Sequence, residues 1–122
     1  MKKIIVLLGI FTFIAISACK KNQLDGNSTI KGKVIHHSKL IPNATVFIKF
    51  KATEFPGRDS TVYDAKVKAD AEGNYSIKCY KGNYYLYAVG YDDQIFQNVF
   101  GGSPVHIRNS ETVNIDLAVT ED

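Results

Sequence analysis

The strongest regularity in this 122-residue chain is an alternation of apolar and polar positions with a period of two. Between residues 65 and 89 it recurs three times. Ala65, Val67 and Ala69 alternate with Lys66 and Lys68; Tyr75, Ile77 and Cys79 alternate with Ser76 and Lys78; Tyr84, Leu86 and Ala88 form a third set. Successive side chains of a strand point to opposite faces, so each set predicts one buried strand face. Asp70-Ala71-Glu72-Gly73-Asn74 turns the chain between the first two, because Asp bonds its own backbone two residues on and Gly takes a positive φ without steric cost. Gly82-Asn83 makes the next break. Upstream, Ile30 and Val34 predict a strand over 28–35, with Gly32 admitting close approach of another backbone. His36-His37-Ser38-Lys39 reads as a turn. Ala44, Val46, Ile48 and Phe50 predict the inward face of a strand over 44–51, and Thr45, Phe47, Lys49 and Lys51 its outward face. Downstream, residues 95–100 suggest a strand with apolar positions on both phases, and Gly101-Gly102-Ser103-Pro104 predicts a break. Val105 and Ile107 begin a hairpin turning at Asn109-Ser110-Glu111, and Val113, Ile115, Leu117 and Val119 close the sheet. No segment sustains a helical period. The pattern predicts an all-β fold, an antiparallel two-sheet sandwich of seven or eight strands.

The beginning of the chain follows a different rule. Met1-Lys2-Lys3 is a short positive start, and residues 4–16 are apolar except for Gly9 and Thr12. That length suits the core of a signal peptide and is short for a bilayer span. An ordinary secretory signal and a membrane-anchor helix fit the same run. Ile16-Ser17-Ala18-Cys19 tips the balance, because it resembles the bacterial lipobox, in which the cysteine thiol receives lipid and becomes the new N-terminus. The resemblance implies a bacterial cell-envelope protein anchored in the membrane through Cys19. Lys20 stands where an inner-membrane retention signal would have Asp, which implies the outer membrane. The expected division is a lipoprotein signal peptide over 1–18, a lipidated cysteine and polar tether over 19–28, and one sandwich domain over 29–122. Residues 1–18 hold two of the 15 basic side chains and none of the 12 acidic ones, so the net charge of +3 falls to +1 without them. With no basic stripe, nucleic acid is not an expected partner.

The central motif carries a second resemblance. Asp70-x-x-Gly73-x-Tyr75-x-Ile77 followed by Gly82-x-Tyr84-x-Leu86-x-Ala88 is similar to the carboxypeptidase regulatory-like domain, whose fold is a transthyretin-like (prealbumin-type) sandwich of Ig-like architecture. Ile30-x-Gly32-x-Val34 resembles that family's first strand, and Leu40-Ile41-Pro42-Asn43-Ala44-x-Val46 its Pro-Leu-x-Gly-Ala-x-Val segment. Asn43 replaces the usual Gly, which the left-handed region tolerates. Val113, Ile115 and Leu117 resemble the closing strand, so the resemblance spans roughly 29–119. It implies a fold and no particular chemistry, because sites are grafted onto folds.

The candidate chemistry is sparse. With Cys19 lipidated, Cys79 has no partner, and its inward phase predicts a small buried hydrophobe rather than a catalytic thiol. His36 and His37 invite a metal reading with His106. Adjacent strand residues face apart, however, and no further ligand stands at the right spacing, so no metal is expected. Asp92-Asp93 reads as a solvated turn. Transthyretin-like hydroxyisourate hydrolases end in a Tyr-Arg-Gly-Ser signature that this chain lacks, and intradiol dioxygenases need a Tyr/His spacing not found in it. No nucleophile elbow, phosphate loop or paired-carboxylate motif occurs, so catalytic residues and cofactors are expected to be none and the protein is read as a non-enzyme. The suggestive feature is an outward aromatic set, Tyr85 and Tyr87 with Phe47, which predicts a contact face for an envelope protein or a glycan. Asp59-Ser60-Thr61 resembles a bacterial O-glycosylation acceptor, making Ser60 a modification candidate. The functional expectation is a membrane-anchored binding or scaffolding module. Its alternative is a small-ligand or glycan-binding accessory to nutrient uptake, which would need a concave aromatic site.

Overall fold

A computed structural model of the protein describes residues 20–122. The expected signal peptide and Cys19 lie outside the described residues. Among the described residues nine strands run in chain order: β1 (Leu24–His36), β2 (Lys39–Leu40), β3 (Thr45–Phe50), β4 (Ala65–Lys68), β5 (Asn74–Cys79), β6 (Gly82–Asp92), β7 (Gln97–Ile107), β8 (Thr112–Asn114) and β9 (Leu117–Ala118). One sheet has the order β4-β3-β6-β7; the other is built on β1, which pairs with β2, β5, β8 and β9. The protein is an all-β two-sheet sandwich.

The alternation works as its period demands. Ile30 and Val34 on β1, Tyr75, Ile77 and Cys79 on β5, Val46 and Ile48 on β3, and Tyr84, Leu86 and Ala88 on β6 are buried between the sheets. The turn at Asp70 also forms as its residue types require. The carboxylate of Asp70 accepts from the N–H groups of Glu72 and Asn74, both at 2.9 Å, and Gly73 takes φ +79°. Asn43 takes φ +58°. A Cβ on Gly32 would lie 1.9 Å from the carbonyl oxygen of Ile115, so only glycine lets the segment between β8 and β9 close on β1.

Four expectations are corrected. The polar stretch 19–28 was expected to be tether, but β1 already begins at Leu24. The backbone of Gln23 accepts from Tyr80 N at 2.8 Å, and Leu24 packs on the core. A register shift between Leu24 and Ser28, both opposite Cys79, lets the polar residues bulge outward, so composition there hides a strand. Residues 95–100 divide differently: Asp93 to Phe96 form a turn and β7 begins at Gln97, with Val99 buried. Gly101-Gly102-Ser103-Pro104 is no break; it runs inside β7 in register with Ala88, Tyr87, Leu86 and Tyr85. β7 is an edge strand, where proline is tolerated, and a Cβ on Gly101 would lie 2.0 Å from the carbonyl oxygen of Ala118. Finally, the closing segment does not fold back as a hairpin. After Ile107 the chain crosses to the other sheet, and β8 and β9 run parallel to β1. Phe100 and Thr120 exchange backbone hydrogen bonds at 2.9 Å and seal one edge of the sandwich.

Candidate ligand site under the 52–64 loop

The outward phase of β6 carries Tyr85 and Tyr87, and cross-strand register sets Phe47 of β3 and Gly102 of β7 beside Tyr87. This is the predicted aromatic face, but it is not free. Tyr85 and Tyr87 are 9% and 3% exposed. The loop between β3 and β4 folds back across them. Lys51 takes φ +58° and turns the chain over the face, and Phe55 lands against both rings, 5.8 Å from Tyr85 and 5.2 Å from Tyr87 between centroids. Tyr63 stacks on Tyr87 at 5.8 Å and meets Phe47 at 5.6 Å. The loop is held in that shape locally. The Tyr63 hydroxyl donates to the Gly57 carbonyl at 2.7 Å, and Asp59 caps the single-turn helix Ser60–Val62 by accepting from the Thr61 N–H and hydroxyl. Ser60 is exposed on that turn.

Between loop and sheet a hollow of about 270 Å³ remains, walled by Phe55, Arg58, Tyr85, Tyr87 and Phe100 with Gly101 and Gly102 at its base. The glycines leave the space: a Cβ on Gly102 would sit 2.8 Å from the Tyr85 ring. Arg58 lies over the Phe100 ring at 4.9 Å and pairs with Asp122, its Nη1 donating at 2.9 Å. The Tyr87 hydroxyl is buried and has no hydrogen-bond partner. Burial pushes the Tyr85 and Tyr87 phenols up, the Arg58 guanidinium partly offsetting this at Tyr87, while burial and the neighbouring phenols push Tyr63 up to about 12. All three are therefore neutral donors at physiological pH. Aromatic walls, one guanidinium and one unpaired phenol can stack on a ring and hydrogen-bond its edge. A larger concavity of about 610 Å³ crosses the other sheet, but it is wide and of mixed charge. Its carboxylates are already engaged, Asp70 in its turn and Asp116 with the Lys33 N–H at 3.0 Å.

A second polar constellation closes one end of the sandwich, and the alternation reaches it from both sheets. His36 continues the inward phase of Ile30 and Val34, and Asp92 continues that of Tyr84, Leu86 and Ala88. They meet at 2.7 Å between His36 Nδ1 and Asp92 Oδ2, and Lys39 donates to Asp92 Oδ1 at 2.9 Å. Asp92 is 3% exposed, so it is not the solvated turn expected of it. Lys39 and then His36 hold its carboxyl well below the usual range. The His36-His37 turn is corrected too: His36 is buried within β1, and only His37 leaves the strand, at φ +57°. Extending the period two by one step beyond Val34 and by two beyond Ala88 would have found both groups. His106 is exposed as expected, its Nδ1 2.9 Å from Asn83 Oδ1. Cys79 is a free buried thiol that burial pushes up.

No family model matches the chain, and no curated protein matches it. Among solved structures it is similar to Klebsiella pneumoniae 5-hydroxyisourate hydrolase, at 12% identity over 84% of this chain and 99% of that chain, with a TM-score of 0.42. No residue role is carried across at that level of similarity.

Proposed function

We propose that this protein is a lipid-anchored module of a bacterial envelope, attached to the outer membrane through Cys19. It would bind a small ring-bearing ligand or glycan in the hollow beneath the 52–64 loop. Binding, without turnover, is its action. In this reading the sandwich belongs to the carboxypeptidase regulatory-like branch of transthyretin-like domains, on the strength of the Asp70-to-Ala88 motif.

The observation that carries the ligand assignment is the Tyr87 hydroxyl. A buried hydroxyl without a partner is costly, and this one borders an aromatic hollow that also holds the Arg58 guanidinium. A scaffolding role through a flat aromatic face has less support, because the loop already covers that face. With Cys19 lipidated, a strand beginning at Leu24 would hold the domain near the anchor, which would suit capture of small solutes better than reach toward a distant protein.

The test is a thermal-shift screen of the full chain in detergent against monosaccharides, oligosaccharides and aromatic solutes. A binder should raise the wild-type melting temperature, and Tyr87→Phe, which removes one oxygen, should keep the fold and lose most of that rise. An equal rise in Tyr87→Phe and Arg58→Ala would remove the hollow as the site. Recovery of one stoichiometric envelope protein by wild type, with no small-molecule response, would restore the scaffolding alternative.

A further inference from the structure

We propose that the sandwich end formed by His36, His37 and Glu121 binds a first-row divalent cation of the zinc type. Asp92 already accepts from Lys39 at its other oxygen, and the 2.7 Å contact places a proton on His36 Nδ1. The other ring nitrogen, Nε2, then either bears a second proton or offers a lone pair to a metal ion. It is buried, makes no hydrogen bond, and points at Glu121 Oε2, 2.6 Å away, which also makes none. A ring nitrogen and a carboxylate oxygen at that separation need a positive centre between them, a proton or a metal ion.

A proton in that gap would leave His37 out of the arrangement, whereas a metal ion draws it in. Adjacent strand residues normally face apart. His37, at φ +57°, instead leaves β1 with its ring 4.4 Å from that of His36. One ligand atom from each of His36, His37 and Glu121 lies within 4.8 Å of the others. Two imidazoles and one carboxylate with a position open to solvent suit zinc and its neighbours, and exclude the all-oxygen preference of calcium and magnesium. Tetrahedral coordination with bonds near 2.0–2.2 Å needs the nitrogen and oxygen roughly 3.3 Å apart. The Glu121 side chain is 39% exposed and has room to withdraw by that difference.

The surroundings agree. Asp92 stands where a metal-bound histidine has its orienting carboxylate, behind Nδ1. Lys39 is taken up by Asp92 and Asp93, so Asp92, Asp93 and Glu121 face a single ammonium. That leaves a negative field for a dication. A bound ion would tie the segment after β9 to the end of β1 and close the sandwich where apolar side chains run out.

The test is calorimetric titration of the full, chelator-stripped chain in detergent with Zn²⁺ alone, and separately with Mg²⁺. One Zn²⁺ per chain and no response to Mg²⁺ are expected. His37→Ala and Glu121→Gln change partly exposed side chains and should fold as wild type. Each should bind Zn²⁺ at least about tenfold more weakly, since even a residue that only orients a ligand commonly costs 10–100-fold. His106→Ala should keep wild-type affinity. Absence of Zn²⁺ binding, unchanged affinity in His37→Ala and Glu121→Gln, or loss of binding in His106→Ala would each overturn the proposal, the first leaving His36 as an imidazolium between two carboxylates.

Discussion

β6 serves two apolar layers that differ in how they are made. Its inward side chains, Tyr84, Leu86 and Ala88, lie between two hydrogen-bonded sheets and are fully buried. Its outward ones, Tyr85 and Tyr87, are buried nearly as deeply, but under a loop whose only regular element is a three-residue turn. The inner layer is closed on both sides by backbone ladders. The outer one is closed by the side chains of Phe55 and Tyr63, and Phe55 is itself 50% exposed. Strand alternation separates the two sides of a sheet, but whether the outward side meets water depends on what the rest of the chain lays over it.

The contrast can be broken most forcefully from inside. Leu86→Ala should cost roughly 2–5 kcal/mol, because the paired sheets cannot collapse into the space. Chemical denaturation would measure it, and a cost below about 1 kcal/mol would mean that the inner layer is no tighter than the outer. Tyr87→Ala should come next, at about 3 kcal/mol, the lower end for an aromatic because the 52–64 loop can settle into the cavity. A truly exposed tyrosine would cost within about 0.5 kcal/mol, so the same denaturation series decides whether the loop covers this face in solution.

Alkali should distinguish the layers more gently. Tyr63 has its phenol pushed up to about 12, first by burial and then by Tyr87 and Tyr85, from an ordinary value of 10.0. The stability this contributes is fully present below pH 10 and is lost as the pH rises through the folded value. The melting temperature should fall between those pH values. Tyr63→Phe should remove part of that fall together with a tyrosinate absorbance step near 12; an unaltered pH profile in the variant would place the lability elsewhere. The smallest effect belongs to Lys68→Ala, on the outward face of β4 opposite Thr45 and away from the aromatic cluster. It should move stability by no more than about 0.5 kcal/mol, and a larger change would extend the loop's influence across the whole sheet.

How much was legible follows from the range over which each signal acts. The inward sets on β1, β3, β5 and β6, the Asp70 turn and the left-handed Asn43 are local consequences of side-chain period and backbone preference. Those expectations were met. The candidate site was legible only as a list of tyrosines. Its hollow needs Phe55 and Arg58, some thirty residues before Tyr87 in the chain, and no periodic signal marks a loop that folds back. The polar end was legible in principle. His36 sits one step beyond Val34 and Asp92 two steps beyond Ala88, and their polarity disguised them as turn residues.

By itself, then, the sequence determined which side chains of each strand face together, where the tight turns fall, and that two sheets enclose one core. These depend on contacts between residues a few positions apart. Only the tertiary structure decided that the glycine-rich 101–104 segment is an edge strand, that β8 and β9 run parallel to β1, and that His36, His37 and Glu121 converge. Each of those outcomes depends on groups brought together across most of the chain. The same amino acids would have suited a turn, a hairpin or solvent, and only the close approach of the two sheets selects among them.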